Sequence, residues 1–218
     1  MKSTVRSKKS GVLRFPGTNC DRDVYQAVEA AGHEAKWLWY EDQFDYKEFD
    51  SLFVPGGFSF GDYLRSGALA ARTQVMKSVR EAASHGVPIL GICNGFQILC
   101  EAELLPGVLL KNEGLRFKDE WVSLTIENKP QHFSESISDT LKLPIAHGDG
   151  RFYIENDNLK KLYDQNQVWL KYESNPNGSV DNIAGVMNEK KNVMALMPHP
   201  ERAIYEWMGS TDGAGFFT

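Results

Sequence analysis

Cysteine is scarce in this chain, and the spacing of the few thiols argues against a metal or disulfide framework. Of the 218 residues only 3 are cysteines, Cys20, Cys93 and Cys100. They form no Cys-x-x-Cys pair and no metal-like cluster with histidine, so we expect no metal site. An odd, sparse set of thiols indicates free cysteines in a reducing compartment, which predicts a cytoplasmic protein.

Excess positive charge and long apolar runs are missing as well. The net charge is −5, whereas a nucleic acid or an anionic membrane would require a basic face. No apolar run approaches the roughly 20 residues that cross a bilayer. The basic N-terminal segment has no apolar core, so it is not expected to be a secretory signal. We therefore expect no nucleic-acid partner and no membrane partner.

Strand and helix patterns alternate over residues 11–105. Short apolar runs predict strands at 10–15, 35–39, 52–54 and 87–92. Apolar residues at helical spacing predict helices over 23–31, 69–85 and 95–105. This alternation predicts the α/β class, with an open, mostly parallel central sheet and helices on both faces. The length suits a single domain, residues 1–218.

The second half of the chain is less regular. Residues 121–128 alternate as a strand does, and residues 143–154 predict a strand whose middle is broken by glycines. Residues 183–201 predict a hairpin that leads into Pro-His-Pro. Phe216 and Phe217 are interpreted as the first turn of a helix that the chain does not complete.

The stretch VPILGICNGFQILC, residues 87–100, places a cysteine where a buried strand turns sharply into a helix. Gly91 and Gly95 stand two residues on either side of Cys93, as a strained nucleophile elbow requires. A helix N-terminus favours a thiolate, and ligands bind at the carboxyl ends of parallel strands. Cys93 is therefore a candidate nucleophile. The alternative is a small, buried apolar side chain.

A cysteine nucleophile needs a base, and the chain has five histidines. His33 and His85 lie beside helix-ending glycines, and His132 lies in a polar loop. His147 and His199 differ because each ends an apolar strand. These two are therefore the candidate bases.

The sequence after His199 favours that histidine as the base. Pro200 biases the preceding residue toward an extended backbone, in which residues two apart face the same side. Glu201 can then accept a hydrogen bond from one ring nitrogen and leave the other for the thiol. This predicts a triad of Cys93, His199 and Glu201. The alternative for Glu201 is an acidic residue that favours a helix N-terminus.

The loop PGGFSFGDYLRSG, residues 55–67, supplies candidate donors for an oxyanion hole. Gly56 and Gly57 follow a buried strand, so their N–H groups can point at a developing oxyanion. Together with the backbone N–H of Asn94, they predict a two-donor hole for acyl transfer. A Gly-Gly pair by itself is usually only a turn.

Two of these motifs resemble those of the class I glutamine amidotransferases, whose elbow reads Gly-x-Cys-x-Gly-x-Gln and whose base motif reads His-Pro-Glu. Here they are GICNGFQ, residues 91–97, and HPE, residues 199–201. Longer stretches, among them VPGGFSFGDYLRSG and IAHGDGRF, resemble the branch that serves phosphoribosylformylglycinamidine synthase in purine biosynthesis. The resemblance runs from about Val12 to Phe217 and implies the flavodoxin-like fold of that family.

The resemblance implies a reaction in which Cys93 attacks the carboxamide of glutamine, forms a γ-glutamyl thioester and releases ammonia. His199 would take the thiol proton and protonate the departing amine, while Glu201 orients it. The backbone amides of Gly57 and Asn94 would stabilise the oxyanion, and water would then release glutamate.

The resemblance also implies which residues hold glutamine and which partners the chain has. Substrate-binding residues would be the loop from Phe58 to Asp62 with neighbouring Gly56, together with Gln97 and His147. An ATP-binding synthetase subunit and a small accessory subunit would complete the complex. ATP and magnesium would belong to the synthetase, since this chain has no P-loop and is expected to carry no cofactor.

Two other functions remain open at this point. One is a cysteine hydrolase of the related peptidase or deglycase type, which does not require Gln97 or the His-Pro-Glu motif. The other is a non-catalytic regulatory module on the same fold, which would be expected to have lost a triad residue. Two departures from the family are also present: the polar segment RSKKS, residues 6–10, replaces apolar strand residues, and a final helix is missing.

Overall fold

The computed structural model describes residues 7–133 and 137–218. Its strands are β1 (Lys9–Arg14), β2 (Glu34–Trp39), β3 (Ser51–Val54), β4 (Ile89–Ile92), β5 (Val108–Leu110), β6 (Lys118–Ile126), β7 (Thr140–His147), β8 (Arg151–Tyr153), β9 (Val168–Tyr172), β10 (Ile183–Met187) and β11 (Val193–Leu196). Its helices are α1 (Asp21–Ala30), α2 (Val75–Ser84), α3 (Asn94–Glu101) and α4 (Asn156–Asp164). Within these ranges no helix is long and apolar enough to cross a membrane.

Nine strands form the central sheet, in the order β2-β1-β3-β4-β11-β10-β9-β6-β7. The first five strands of this order run parallel to one another. The strands β3, β4 and β11 are buried along their whole length, as expected for a parallel sheet that is covered by helices. The predicted α/β fold with its mostly parallel central sheet is confirmed.

The other four strands pair antiparallel and curl back toward the parallel half. In the sheet order β7 lies five strands from β4, which is about 24 Å in a flat sheet at the usual strand spacing. Yet the Cys93 thiol, which follows β4, donates to the Ala146 carbonyl of β7 over 3.8 Å. The sheet must therefore curve so that the end of β7 lies over the end of β4.

Residues 143–154 differ from the prediction of one glycine-broken strand. The part up to His147 belongs to β7 of the central sheet. The part from Arg151 to Tyr153 is β8, which pairs with β5 in a separate two-stranded sheet. The glycines therefore end one strand and allow the chain to change sheets. The strands β5 and β9 and the helix α4 were not predicted.

Residues near both ends of the chain belong to the sheet or the core. Lys9 and Ser10, part of the polar RSKKS segment, lie in β1, where Ser10 and Ser51 share a 2.8 Å hydrogen bond; Arg6 lies outside the described residues. Phe216 and Phe217 are buried around a short 3-10 turn, and Phe217 stacks on Phe53. Both side chains therefore belong to the core, and the predicted helical turn is present as the 3-10 turn Ala214–Phe216.

Candidate active site

The three sequence motifs follow three neighbouring strands and lie at one edge of the sheet. The strands β3, β4 and β11 are adjacent and parallel, so their carboxyl ends lie side by side. Gly56 and Gly57 follow β3, Cys93 follows β4, and His199 follows β11. The backbone N–H of Cys93 donates to the Leu196 carbonyl over 2.9 Å, which ties the elbow to the strand that leads to the histidine.

Cys93 occupies a strained backbone conformation with φ 51° and ψ −105°. Such a conformation costs about 1–3 kcal/mol in a residue other than glycine and persists only where surrounding structure enforces it. A Cβ at Gly91 would lie 2.6 Å from the Leu99 side chain, and a Cβ at Gly95 would overlap the Val54 carbonyl oxygen. Both glycines are therefore required by the close approach of the elbow to its helix and to β3.

The His199 side chain is oriented by Glu201. Its Nδ1 donates to Glu201 Oε1 over 2.6 Å, and both residues are 1% exposed. Burial disfavours the imidazolium, but the charges of Glu201 and of a Cys93 thiolate outweigh this effect and raise the pKa of His199. Within the described residues the buried Nε2 of His199 has no hydrogen-bond partner, so it is available to the thiol.

Gly56 has no side chain, which leaves room for the base and the nucleophile to approach each other. A Cβ at this position would lie 2.8 Å from His199 Cε1 and 3.4 Å from Cys93 Cβ. Both groups therefore border the space that glycine leaves open. Gly56 lies among the triad residues, whereas Gly57 lines the neighbouring pocket.

Gly57 lines the same pocket as Cys93, and Asn94 directly follows Cys93 in the chain. Gly57 has φ 141°, and a Cβ there would lie 2.7 Å from the backbone nitrogen of Asn19, so only glycine fits. Asn94 is the first residue of α3, where the N–H groups have no partner within the helix. Donors of this kind can bind an anion.

A pocket of about 120 Å³ opens beside the thiol. Its lining residues are Gly57, Phe58, Asp62, Ser66, Cys93, Gln97, Phe117, Ala146, His147, Gly148 and Asp149. A larger groove of about 930 Å³ is lined by the β10–β11 turn, the segment after α3 and residues of α4, and it contains none of the motif residues. The small pocket is the one that the triad can serve.

Two carboxylates give the pocket a negative side. Burial and the nearby Asp149 raise the pKa of Asp62 to about 6. Ser66 donates to Asp149 Oδ2 over 2.8 Å, which fixes the second carboxylate. Two acids that share a small pocket favour a cationic group between them.

The side-chain amide of Gln97 is held by the protein itself. Its Oε1 accepts from Asn94 Nδ2 over 2.7 Å, and its Nε2 donates to the Asp149 carbonyl over 2.7 Å. Asn94 Oδ1 in turn accepts from the Ser59 backbone N–H over 3.1 Å. Gln97 therefore forms a wall of the pocket and connects its two sides.

His147 lines the pocket, and both of its ring nitrogens have protein partners. Its Nδ1 donates to Asn112 Oδ1 over 3.1 Å, and its Nε2 accepts from Asn177 Nδ2 over 3.5 Å. Burial and the nearby His199 lower the pKa of His147 to about 4, so its ring is neutral near pH 7. His147 shapes the turn from residue 147 to 150.

A family comparison decides what kind of protein has this site. Residues 7–214 match a family described as a CobB/CobQ-like glutamine amidotransferase domain. The chain belongs to this glutamine amidotransferase family. The predicted enzyme class is therefore confirmed, and the alternatives of a peptidase or deglycase and of a non-catalytic module are set aside.

Solved structures agree with this assignment of the amidotransferase. A chain of the structure of PurLQS from Thermotoga maritima is 42% identical, with a TM-score of 0.88, over 97% of this chain and 96% of that one. A glutamine amidotransferase from the same organism is 16% identical, with a TM-score of 0.63, over 91% of this chain and 78% of that one. The second likeness supports the fold alone.

The amidotransferase site also contains residues that sequence reasoning missed. Asp149 and Ser66 line the pocket, and Asn112 and Asn177 fix His147 from behind. Asp149 had a detectable signal, because it stands two residues after His147 at the end of a strand. The two asparagines had none, since their proximity depends on how the antiparallel half curls.

Proposed function

We propose that this amidotransferase hydrolyses glutamine to glutamate and ammonia through a thioester on Cys93. The observation that carries the proposal is the buried His199–Glu201 pair beside a cysteine held at positive φ. A nucleophile, a base and a group that orients the base are the three components that covalent acyl transfer requires.

In the first step, His199 Nε2 takes the Cys93 proton while sulfur bonds to the glutamine carboxamide carbon. The N–H groups of Gly57 and Asn94 stabilise the oxyanion of the tetrahedral intermediate. The imidazolium then returns the proton to the amide nitrogen, the C–N bond breaks, and ammonia leaves. A raised His199 pKa supports this role because the imidazolium is held next to the leaving group.

In the second step, water attacks the thioester carbonyl with His199 as base, and glutamate and the free thiol are released. Glu201 Oε1 holds Nδ1 throughout and keeps Nε2 directed at the reacting atoms. Glutamine and water are consumed, and glutamate and ammonia are formed, so no oxidant or reductant is needed.

The carboxylates of Asp62 and Asp149 hold the glutamine α-ammonium in this proposal. They give negative charge to the pocket that Cys93 also lines. Phe58 packs against the substrate chain. Gln97 and His147, assigned from the resemblance as direct ligands, act instead by supporting the pocket, because their polar atoms already have protein partners.

We infer that the ammonia is delivered to a synthetase that converts formylglycinamide ribonucleotide to formylglycinamidine ribonucleotide. Support comes from the motif resemblance and from 42% identity to a chain of PurLQS. An ATP-binding synthetase and a small accessory subunit are the proposed partners, with ATP and magnesium bound by the synthetase. Three free cysteines support a cytoplasmic location.

An apolar rim beside the pocket fits contact with the synthetase. Tyr63 is 75% exposed and Leu64 is 91% exposed, directly after the pocket residue Asp62. Leu64 also has φ 70°, a strained conformation for a residue other than glycine. We infer that these two adjacent, exposed apolar side chains form part of a contact with the synthetase.

Replacing the nucleophile tests the proposed function in the assembled complex. Cys93→Ala should abolish glutamine-dependent synthesis of the amidine and spare synthesis from added ammonia. Cys100→Ala is the matched control, because Cys100 is also buried but its thiol donates to the Pro106 carbonyl, away from the pocket. Loss of both activities in Cys93→Ala would show that Cys93 supports the structure, not the acyl group.

A further inference from the structure

A second buried cysteine, Cys20, lies next to the catalytic pair. It is 2% exposed and precedes α1 at the N-cap position, where Ser, Thr, Asp or Asn would normally accept a helix N–H. The Cys20 side chain makes no such capping bond. The chain therefore uses this position for something other than the helix end.

The Cys20 sulfur is engaged by Arg202. Nη2 of Arg202 donates to Cys20 Sγ over 3.0 Å, and Cys20 Sγ donates to Asn19 Oδ1 over 3.3 Å. The thiol thus uses both its donor and its acceptor capacity. Arg202 has 37% of its side chain exposed, so without this anchor a large part of its guanidinium would be free to turn into solvent.

The anchored guanidinium reaches the catalytic carboxylate. Arg202 Nε lies 3.9 Å from Glu201 Oε1, the oxygen that accepts the hydrogen bond of His199. The other carboxylate oxygen, Oε2, is buried and has no hydrogen-bond partner in the described part of the chain. A buried carboxylate needs compensating positive charge, and Arg202, which does not line the pocket, supplies it.

Cys20 also borders the imidazole. Its sulfur, a ring nitrogen of His199 and a carboxylate oxygen of Glu201 lie within 4.8 Å of one another. The space left open at Gly56 is 3.3 Å from Cys20 Sγ and 2.8 Å from His199 Cε1. Any movement of Cys20 or Arg202 therefore changes the surroundings of both catalytic side chains.

We propose that Cys20 and Arg202 form a positioning pair, in which the thiol anchors the guanidinium against Glu201 and thereby fixes the orientation of His199. Neither residue lines the glutamine pocket. Losing the pair should therefore slow the chemical step and leave substrate binding unchanged. This inference rests on the proposed glutaminase function and adds two residues to its machinery.

The test is the rate at which an electrophilic glutamine analogue labels Cys93 in the full chain assembled with its synthetase. The maximal labelling rate reports the chemistry, and the half-saturating concentration reports binding. Cys20→Ala and Arg202→Met should lower the maximal rate by about tenfold, the size of effect expected when a catalytic group is misplaced, with the half-saturating concentration within about twofold of wild type. Cys20→Ser keeps an acceptor for Arg202 and should restore most of the rate.

Cys100→Ala is the matched control for removing a buried thiol, and its labelling kinetics should equal those of wild type. Labelling of Cys20→Ala within about twofold of wild type would overturn the inference. Failure of Cys20→Ser to recover the rate, or an equal loss in Cys100→Ala, would show a structural effect only and would also overturn it. If Cys93 of the wild-type chain is not labelled, the proposed function itself fails and this inference falls with it.

Discussion

Gly95 shows how strongly single residues constrain the elbow. A side chain there would overlap the Val54 carbonyl oxygen, which belongs to the rigid strand β3. Backbone cannot move aside as a flexible side chain can, so the clash must displace α3 or β3. The positive φ of Cys93 depends on this close approach.

Gly95→Ala should therefore lower the free energy of unfolding by about 3 kcal/mol and reduce labelling of Cys93. The control is Gly86→Ala, where φ is +84° but no atom lies within 4 Å, so only backbone strain of about 1 kcal/mol applies. Chemical denaturation of both variants measures the difference. Equal destabilisation would contradict a packing role for Gly95.

Asp62 combines a functional charge with a cost to stability. Its pKa is raised from 3.8 to about 6, chiefly by burial and then by Asp149. Between these two values the folded chain keeps a proton that the unfolded chain has released, so this residue makes the fold less stable as the pH rises through that window. Above about pH 6, burial of the charged carboxylate lowers the free energy of unfolding by its full amount.

Asp62→Asn should raise the thermal midpoint at about pH 8 and change it little at about pH 3, below both pKa values, where the wild-type side chain is mostly protonated in the folded and the unfolded state. The same variant should raise the KM for glutamine about tenfold, because it removes a carboxylate from the ammonium site. Asp164→Asn, an exposed change at the end of α4, is the control for both measurements. A lower thermal midpoint at pH 8, or an unchanged KM, would contradict this role.

At the scale of elements, the buried Asn112 side chain makes several of the hydrogen bonds that hold the turn between β7 and β8. Asn112 Nδ2 donates to the carbonyls of Arg116 and His147, and its Oδ1 accepts from the Gly150 N–H and from His147 Nδ1. Three of these bonds join the segment after β5 to the turn that carries Asp149, and the bond to Arg116 closes the segment itself. The pocket wall therefore depends on the junction of the two sheets.

Asn112→Ala should cost about 2–4 kcal/mol of unfolding free energy, because it leaves several buried polar groups without partners. It should also raise the KM for glutamine as Asp149 loses its support. Asn128→Ala removes a single bond, to the Val168 carbonyl, and should cost about 1 kcal/mol without changing the KM. Denaturation curves and glutamine kinetics of the two variants measure these effects. Equal effects in the two variants would contradict the supporting role of Asn112.

The arrangement of the strands and helices also explains how much of the site could be predicted from the sequence. Cys93, His199 and the glycines after β3 were predictable, because each ends a parallel strand and parallel strands end at one edge. Asn112 and Asn177 were not, because periodicity does not reveal that the antiparallel strands curl back over β4. The helix α4 and the strand β9 were missed, and the glycine-broken strand proved to be two strands in different sheets.

At the scale of the whole molecule, the apolar rim should govern assembly with the synthetase. Leu64→Asp places a charge on a side chain that is 91% exposed, so it should weaken association at least tenfold without lowering the thermal midpoint. Trp207→Asp is the control, since Trp207 is 79% exposed but lies in a segment of the chain that contributes no residue to the pocket, whereas Leu64 lies between the pocket residues Asp62 and Ser66. Titration of the synthetase against each variant measures the affinities, and an unchanged Leu64→Asp complex would contradict the assignment of the rim.

The central claim is that Cys93 is the nucleophile and glutamine its substrate, and covalent labelling tests it directly. The chain, assembled with its synthetase, is treated with an electrophilic glutamine analogue, and mass spectrometry locates the adduct among Cys20, Cys93 and Cys100. We expect a single adduct on Cys93 that excess glutamine prevents, because only this thiol combines the strained elbow with the pocket. An unlabelled Cys93, or labelling that glutamine does not prevent, would contradict the claim.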